Sequence, residues 1–316
     1  MDFPGRFADR IMPDKIHRIS LSFLVDKLAK QFGGTAGNIA YTLRLLDVTP
    51  VILSVAGNDF APYESFLKSR DISTGLITVV RRVTTSAYFV VTDREDNQIG
   101  SFYTGATKYY RTLSVADAVR NRNIGFAVLA PTDPAAMRQY VTQCRTLGLP
   151  YLYDPAFQID TFSAAELKSA IKGAAILIGN DYEISLIEQK LGISHEELIL
   201  YMPVLITTLG SKGSVIETRK KHIHIRPAKP VSVSDPTGAG DAYRAGFLAG
   251  YVRGYDLVTC GQMGSVAAVY TVEKYGTVTH KFTSSAFTER YRLNYGSDFS
   301  LSSAGWNAQA AGGTIH

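Results

Sequence analysis

The amino-acid sequence predicts an α/β fold in which helices connect the strands of a mostly parallel sheet and a small second sheet stands apart. Two observations support this: short apolar runs alternate with helical patterns along most of the 316 residues, and a β-hairpin pattern interrupts the alternation once. A chain of this length buries roughly 75% of its unfolded surface, enough for one large domain or about two smaller ones. Because 46% of the residues are hydrophobic, we expect the bulk of the chain to be folded.

Five apolar runs have the length and composition of buried strands, and amphipathic segments separate them. The predicted strands are 51–55, 126–130, 151–153, 175–178 and 204–208. The predicted helices are 36–46, 63–69, 134–147, 164–172, 181–191, 242–253 and 257–272.

The segment 86–103 breaks the alternation of strands and helices. Two β-like runs flank a polar tip there, which predicts an antiparallel hairpin that forms a small sheet of its own. The basic run 219–222 lies between two further β-like runs and indicates an exposed hairpin turn. The segment 300–316 is rich in Ser, Gly and Ala, and we expect it to be a disordered tail.

Composition and charge exclude several classes of protein. Cys144 and Cys260 are the only cysteines and form no CxxC pair, which argues against a disulfide scaffold and favours a reducing, cytoplasmic compartment. No run of ~18 apolar residues occurs, and the first ten residues lack an apolar segment, so we expect neither a membrane span nor a secretory signal. The formal charge of +5 has no concentrated stripe, so we expect no nucleic-acid partner, although it suits a small polyanionic ligand.

The segment 235–247, which reads Asp-Pro-Thr-Gly-Ala-Gly-Asp-Ala-Tyr-Arg-Ala-Gly-Phe, carries the strongest chemical signal. Gly238, Ala239 and Gly240 allow a tight turn that exposes backbone N–H groups where a helix begins, and such helix N-termini bind anions. Asp241 follows in the first helical turn. A bare G-x-G-D would more often be an ordinary turn with a capping Asp. The dinucleotide pattern G-x-G-x-x-G and the P-loop are both absent, which excludes nucleotide-dependent oxidoreductases and P-loop enzymes.

Together with a second segment, this motif resembles the PfkB or ribokinase-like family of carbohydrate and nucleoside kinases. Residues 235–241 match the family's C-terminal signature D-T-x-G-A-G-D, and Gly33-Gly-Thr-Ala-Gly-Asn-Ile-Ala40 matches its N-terminal signature G-G-x-x-x-N-x-A. The two signatures occur in the family's order, and the resemblance covers about residues 1–295. The segments 102–106 and 275–280 make it most similar to bacterial adenosine-kinase-like members.

The resemblance implies a ribokinase-like, three-layer α/β/α sandwich over residues 1–299, with a small β-sheet lid at 86–103 and a nucleotide-binding part at about 175–295. It implies a kinase that uses ATP and Mg²⁺ to phosphorylate a primary hydroxyl of a nucleoside or sugar, with adenosine as the leading acceptor. A ribokinase- or fructokinase-type sugar kinase stays open. A hairpin with few neighbours also allows a homodimer through the lid.

The same resemblance assigns roles to individual residues at the catalytic centre and on the acceptor side. The residue matching Asp241 is the general base, and the amides of the preceding Gly-Ala-Gly segment hold the transferring phosphoryl group. Gly33 and Gly34 let the acceptor lie close to backbone, and Asn38 hydrogen-bonds sugar hydroxyls. Phe102 or Tyr88 of the lid could cover a base, although such aromatics more often serve lid packing.

On the nucleotide side, Asn180 and Glu183 match the family's N-x-x-E motif, which places Asn180 at phosphate and Glu183 near Mg²⁺ through water. Alone, the pair indicates only a helix-capping box. The loop after the strand 204–208 resembles the family's nucleotide loop, with Lys212 near phosphate. The assigned loop residues are Thr208, Gly210, Lys212 and Gly213.

Three further positions are compared with the family pattern: Asp235, Pro236 and Asp2. Asp235 matches a site that some relatives use for a monovalent cation, here K⁺, and Pro236 replaces the commoner Thr. Relatives begin with a strand ending in an Asp that grips substrate hydroxyls, whereas Asp2 comes too late to match and the segment 3–7 is typical of a loop. We therefore expect the first strand and one substrate ligand to be missing, either because the start codon lies upstream or because this form is truncated. A non-catalytic, ligand-binding relative is the alternative that follows.

Overall fold

The computed structural model describes residues 1–11, 21–95, 97–120, 122–296, 299 and 301. Within them the helices are α1 (Thr35–Leu45), α2 (Ala61–Lys68), α3 (Val115–Val119), α4 (Pro134–Leu147), α5 (Ala164–Gly173), α6 (Asp181–Leu191), α7 (His195–Ile199), α8 (Ala239–Tyr251), α9 (Leu257–Val272) and α10 (Ser284–Tyr295). The strands are β1 (Ser54–Gly57), β2 (Ile77–Val80), β3 (Ala87–Thr92), β4 (Gln98–Tyr103), β5 (Ala127–Leu129), β6 (Tyr151–Tyr153), β7 (Ile176–Asn180), β8 (Val204–Thr208), β9 (Ser214–Glu217) and β10 (His222–Ile225).

The largest sheet has six strands in the order β10-β9-β8-β7-β6-β5. Strands β5 to β8 are parallel, and β9 and β10 continue the sheet as antiparallel neighbours. The turn between β9 and β10 closes with a hydrogen bond from the Thr218 N–H to the Lys221 carbonyl, which confirms the predicted basic hairpin turn. In the described part of the chain, no helix is long and apolar enough to span a membrane.

Alternating strand residues divide the core between the two faces of this sheet. Leu152 and Ile206 pack with α1, α8, α9 and α10, whereas Tyr151 and Leu205 pack with α4, α5, α6 and α7. Because successive side chains of a strand point to opposite faces, each buried strand supplies both helical layers. The predicted three-layer α/β/α sandwich is confirmed.

The predicted helices and most predicted strands are present, but the first strand differs. It begins at Ser54 rather than at Val51, and it pairs in parallel with β2 in a separate two-stranded sheet, Ser54 opposite Ile77. Sequence reasoning missed α10, in which only Phe287 and Tyr291 are fully buried, because two apolar residues are too few to define a period. It also missed the short elements α3, α7 and β2. The predicted tail lies outside the described residues, apart from Leu301.

The predicted hairpin is formed by β3 and β4, which pair antiparallel as a separate two-stranded sheet. Tyr88 lies opposite Phe102, so these two aromatic side chains share one face of the hairpin. At the tip, the Asp93 carboxylate accepts hydrogen bonds from the backbone N–H groups of Glu95 and Asn97, each at 2.9 Å. The tip is therefore held by a side chain, and the hairpin has a defined register.

The first three residues lie along the tip end of this hairpin. The segment after them is a loop, as the sequence predicts, and it leads into a 3₁₀ helix at Phe7–Asp9. The Thr92 N–H donates to the Met1 carbonyl at 2.9 Å, and the Phe3 N–H donates to the Thr92 carbonyl at 2.8 Å. Phe3 and Phe7 are buried and meet Phe23, with ring centroids between 4.9 and 5.8 Å apart. The aromatic cluster therefore lies beside the tip of the hairpin, where the Phe7 N–H also donates to the Asp93 carboxylate at 2.8 Å.

A buried hydrogen-bond network connects α1 and α9 to the loop before α10. The Thr42 hydroxyl lies 3.1 Å from Nε2 of His280, and the Thr271 hydroxyl lies 3.3 Å from its Nδ1. The Tyr41 hydroxyl donates to the His280 carbonyl. Burial lowers the pKa of His280 to about 4, so the ring is neutral and donates through one nitrogen while it accepts through the other. The network fixes the loop that carries Thr277.

Candidate active site

The glycine-rich segment forms the N-terminus of α8, as the sequence predicts. Gly238 has φ +82°, a left-handed conformation, and a Cβ at this position would lie 2.8 Å from Cγ2 of Thr277. No side chain caps α8, although the Ala239 N–H donates to the Pro236 carbonyl at 3.2 Å. The start of the helix and the positive end of its dipole are therefore a place where an anion can bind. Gly238, Ala239 and Gly240 therefore have the local geometry that an anion hole needs, and their role in holding phosphoryl stays a prediction.

Asp241 is held by the N-terminal signature. The Asn38 side-chain N–H donates to Oδ2 of Asp241 at 2.7 Å. The Asn38 carbonyl accepts from the Thr277 hydroxyl at 2.8 Å, which fixes the orientation of the amide. The resemblance assigned Asn38 to sugar hydroxyls; here its first partner is the predicted base. Asn38 thus joins the two signatures into one site.

Burial sets the electrostatic character of Asp241. The loss of solvent raises the pKa of this carboxyl, while the charge of Arg244 and the hydrogen bond from Asn38 oppose the rise. A carboxylate whose affinity for a proton is raised in this way is a stronger general base than a solvated one. The environment therefore suits the role that the resemblance gives to Asp241.

Sequence reasoning missed a buried ion pair beside Asp241. Nη2 of Arg244 lies 2.6 Å from Oδ2 of Asp154, and Nη1 of Arg244 lies 3.7 Å from Oδ1 of Asp241. Burial raises the pKa of Asp154 to about 6 against the opposing charge of Arg244, so the pair is ionised at pH 7. Two signals pointed to it: Arg244 is three residues after Asp241 on one helical face, and Asp154 directly follows a predicted strand.

The predicted nucleotide residues gather at the carboxyl ends of two neighbouring strands. Asn180 ends β7, Thr208 ends β8, and the two are opposite each other in the parallel ladder. Asn180 and Glu183 form a reciprocal capping box, with both hydrogen bonds at 2.8 Å. The loop after β8 turns through a 3₁₀ helix, Gly210–Lys212, and leaves Lys212 exposed. The roles of these residues at phosphate stay predictions.

Gly33 and Gly34 lie on the acceptor side, directly before α1. Gly34 has φ +92°, and a Cβ added to it would meet no atom within 4 Å. A Cβ on Gly33 would lie 3.4 Å from the Thr277 hydroxyl. The space beside Gly34 is therefore open, as the close approach of an acceptor to the backbone requires.

Tyr63 is a second residue that sequence reasoning missed. Its ring stacks on Phe32 with centroids 4.7 Å apart, and its buried hydroxyl has no hydrogen-bond partner among the described residues. Burial and the charge of Asp241 both raise the pKa of Tyr63, so the hydroxyl lies within the field of the catalytic centre. A buried hydroxyl without a partner costs free energy, which makes Tyr63 a candidate contact for a bound acceptor.

The structure gives Asp235 a role that needs no cation. Its two carboxylate oxygens accept from the backbone N–H groups of Thr237, at 2.9 Å, and Gly276, at 3.0 Å. Asp235 thereby ties the loop before α8 to the loop that carries Thr277. Binding of K⁺ at Asp235 stays a prediction from the resemblance.

The carboxylates near Arg244 fit the Mg²⁺ that the family implies. The described residues contain no group of three or more His, Cys, Asp or Glu that could hold an ion alone. Mg²⁺ in kinases, however, takes one or two carboxylates together with water and substrate phosphates. Glu183 is near enough to act electrostatically on Asp154, whose buried Oδ1 lacks a hydrogen-bond partner in the described chain. Glu183 would hold the ion through water, as the resemblance implies, and the ion when bound would offset phosphate charge.

Transfer of a phosphoryl group to an alcohol requires positioning and charge stabilisation more than covalent chemistry, and a buried carboxylate beside an anion site supplies both. The protein is a phosphotransferase with an alcohol acceptor. More particularly, it belongs to the pfkB family of carbohydrate kinases, whose profile matches residues 6–283. The resemblance inferred from the two signatures is confirmed.

Several relatives in sequence and structure are nucleoside kinases, and others are sugar kinases. The nucleoside kinase of Methanocaldococcus jannaschii is 34% identical over 279 residues, which cover 88% of this chain and 91% of that protein. The structure of Burkholderia thailandensis nucleoside kinase in complex with inosine has a TM-score of 0.86 and 30% identity, and the match covers 94% of this chain and 95% of the other. Its complex with ADP-inosine has a TM-score of 0.84. Nucleoside or sugar kinase activity is therefore the function of the family to which this chain belongs.

Asp241→Asn should keep the fold and ATP binding but lower kcat by ~10² or more, because the amide cannot take the hydroxyl proton. Turnover is measured as ADP release, and ATP binding by calorimetry.

The matched control is Asp256→Asn, since Asp256 caps α9 through the N–H groups of Val258 and Thr259 and Asn is an equally good cap. The control should show parental turnover. Near-normal turnover in Asp241→Asn would contradict the assignment of the base.

Proposed function

We propose that this kinase transfers the γ-phosphoryl group of ATP to the primary hydroxyl of a purine nucleoside. Adenosine is the acceptor that the sequence resemblance favours, and inosine is bound by the Burkholderia relative. The observation that carries the proposal is the hydrogen bond from Asn38 to Asp241, at the glycine-rich N-terminus of α8. It brings the acceptor signature and the phosphoryl-transfer signature within one hydrogen bond of each other.

In the proposed reaction, the acceptor oxygen attacks the γ-phosphorus. The new O–P bond forms, the bond from the γ-phosphorus to the β,γ-bridging oxygen breaks, and ADP leaves with that oxygen. Asp241 takes the hydroxyl proton, which Asn38 assists by holding the carboxylate in place. The N–H groups of Gly238, Ala239 and Gly240 receive the charge on the transferring group.

Exposed aromatic side chains beside the strand ends favour a nucleoside over a free sugar as the acceptor. Phe102 of β4 lies with its ring centroid 6.2 Å from that of Phe157, which follows β6. Both rings are more than half exposed, at 52% and 65%. A flat heteroaromatic base would bury such rings by stacking, whereas ribose or fructose offers no comparable face. The hairpin would then act as the lid.

The acceptor is tested with adenosine, inosine, cytidine, ribose and fructose in an assay of ATP-dependent ADP release. We expect kcat/KM for adenosine or inosine to exceed that for ribose by ~10-fold or more, because base contacts add to binding in the transition state. The control compound 5′-deoxyadenosine lacks the primary hydroxyl and should give no turnover.

A higher kcat/KM with ribose or fructose would contradict the nucleoside proposal and support the sugar-kinase alternative. Stabilisation by nucleosides without ADP release would favour the ligand-binding alternative.

We also propose that Glu183 organises Mg²⁺ in addition to capping α6. Glu183→Ala should raise the Mg²⁺ concentration needed for half-maximal turnover and lower kcat, with a stability loss of only ~1 kcal/mol from the cap. Turnover is measured as a function of Mg²⁺ at fixed ATP, and stability by urea unfolding.

Glu166→Ala is the matched control, because Ser163 and Glu166 form the same capping box at the start of α5. The control should lose the cap without a change in Mg²⁺ dependence. If the Mg²⁺ curves of Glu183→Ala and the parent superimpose, Glu183 is only a cap.

We propose a homodimer through the hairpin 86–103. The face opposite Tyr88 and Phe102 carries Phe89 and Tyr103, which are 53% and 46% exposed, and an uncovered apolar face favours association. Light scattering at micromolar concentration should show a dimer for the parent and a monomer for Phe89→Lys. Leu293→Lys, which changes an exposed Leu of α10, is the control and should remain dimeric. If the parent is monomeric both with and without nucleoside, the dimer proposal is contradicted.

A further inference from the structure

Arg244 is the unusual residue of the catalytic centre. Its guanidinium is shared between a sealed carboxylate and the predicted base, and its side chain is 13% exposed while that of Asp154 is 1% exposed. The ion pair to Asp154 uses Nη2. Nη1 is directed to the other side, where it lies 3.7 Å from Asp241, beyond hydrogen-bond distance.

The position of Nη1 relative to the anion hole is well defined. A Cβ built on Gly240 would lie 2.8 Å from Nη1 of Arg244, so this nitrogen lies directly against the glycine-rich turn. The guanidinium therefore borders both the anion hole and Asp241. An Ala at position 240 would push the guanidinium away, which gives a reason for a glycine there.

The charges around this guanidinium are unbalanced without a ligand cation. Arg244 interacts electrostatically with Asp154, Asp241 and Glu183, three carboxylates against one positive charge. These carboxylates repel an incoming nucleotide polyphosphate. Arg244 supplies a positive charge at the point where the phosphoryl group must pass. Arg is suited to this because its planar fork can bond a carboxylate with one N–H edge and a phosphoryl oxygen with another.

We propose that Arg244 contacts the transferring γ-phosphoryl group through Nη1 and that Asp154 is the positioning residue that aims it. This inference deepens the proposed function and rests on its phosphoryl-transfer step. As the O–P bond to the acceptor forms and the bond to the β,γ-bridging oxygen breaks, Nη1 donates a hydrogen bond to an oxygen of the group in transit. Asp154 keeps its ion pair throughout, so the guanidinium needs no reorganisation.

The proposal predicts discrimination between nucleotides that possess a γ-phosphate and those that do not. In Arg244→Gln, the affinity for β,γ-imido-ATP should fall by ~10-fold, because a charge-assisted hydrogen bond is lost, whereas the affinity for ADP should change by less than ~2-fold. Calorimetry with each nucleotide in the presence of MgCl₂ measures both. A merely structural ion pair would weaken the two nucleotides alike.

Kinetics and rescue supply a second readout. In Arg244→Gln, kcat should fall by ~10², while the KM for the nucleoside should change by less than ~3-fold, because the guanidinium acts on the phosphoryl group and not on the acceptor. Arg244→Lys should recover part of the loss in kcat, since it restores a charge without the fork. Asp154→Asn should lower kcat in the same direction by a smaller factor.

The control is Arg253→Gln, another buried Arg just beyond the end of α8, whose guanidinium donates to the carbonyls of Ala249 and Leu46. It should lower Tm while leaving the ratio of β,γ-imido-ATP to ADP affinity unchanged. Equal loss of both affinities in Arg244→Gln would overturn the proposal. Should Arg244→Gln fail to fold, Arg244→Met also removes the charge, and an unchanged affinity ratio in that variant would overturn the proposal as well. The nucleotide comparison needs no acceptor. It therefore tests the role of Arg244 even if no nucleoside in the acceptor panel is phosphorylated.

Discussion

The hydrogen bond from Asn38 to Asp241 is the interaction on which the rest of the site depends. It connects residues 203 positions apart in the chain, and it requires α1 and α8 to lie side by side on the same face of the sheet. Thr277 holds the other end of the Asn38 amide, so the loop before α10 is part of the same construction. One amide therefore aligns three distant segments around a single carboxylate.

Burial raises the pKa of that carboxylate, and burial has a cost. Asp154, Asp241 and Arg244 are all withdrawn from water, and removing one partner of such a group typically costs ~3–5 kcal/mol because the other charge is left uncompensated. In the intact protein, the ion pair at 2.6 Å and the hydrogen bond from Asn38 offset the cost of burying these charges. The same arrangement keeps a positive charge against the glycine-rich turn, close to the carboxylates of Asp154 and Asp241.

The hairpin and the sandwich are stabilised by different kinds of contact. The sandwich buries both faces of its parallel strands under helices, whereas the residues of β4 are exposed along its whole length. The contacts that stabilise the hairpin are concentrated at its tip. The Asp93 carboxylate accepts from the turn and from the Phe7 N–H, and the rings of Phe3, Phe7 and Phe23 pack together beside it. An element with so few buried contacts is free to change its position over a ligand or to be covered by another copy.

The sequence alone determined the α/β class, the hairpin and the helix that begins at the glycine-rich segment. It also singled out Asp241 as the predicted general base. These are local properties: period, turn chemistry and a motif contiguous in the chain. The tertiary structure alone decided that Asn38 contacts Asp241, that β1 and β2 leave the main sheet, and that the first residues pair with β3. It also revealed Asp154 and Tyr63, because a lone Asp after a strand or a Tyr in a helix acquires a role only from neighbours distant in sequence. Long-range packing sets burial, and burial gives a carboxylate or a hydroxyl its chemistry.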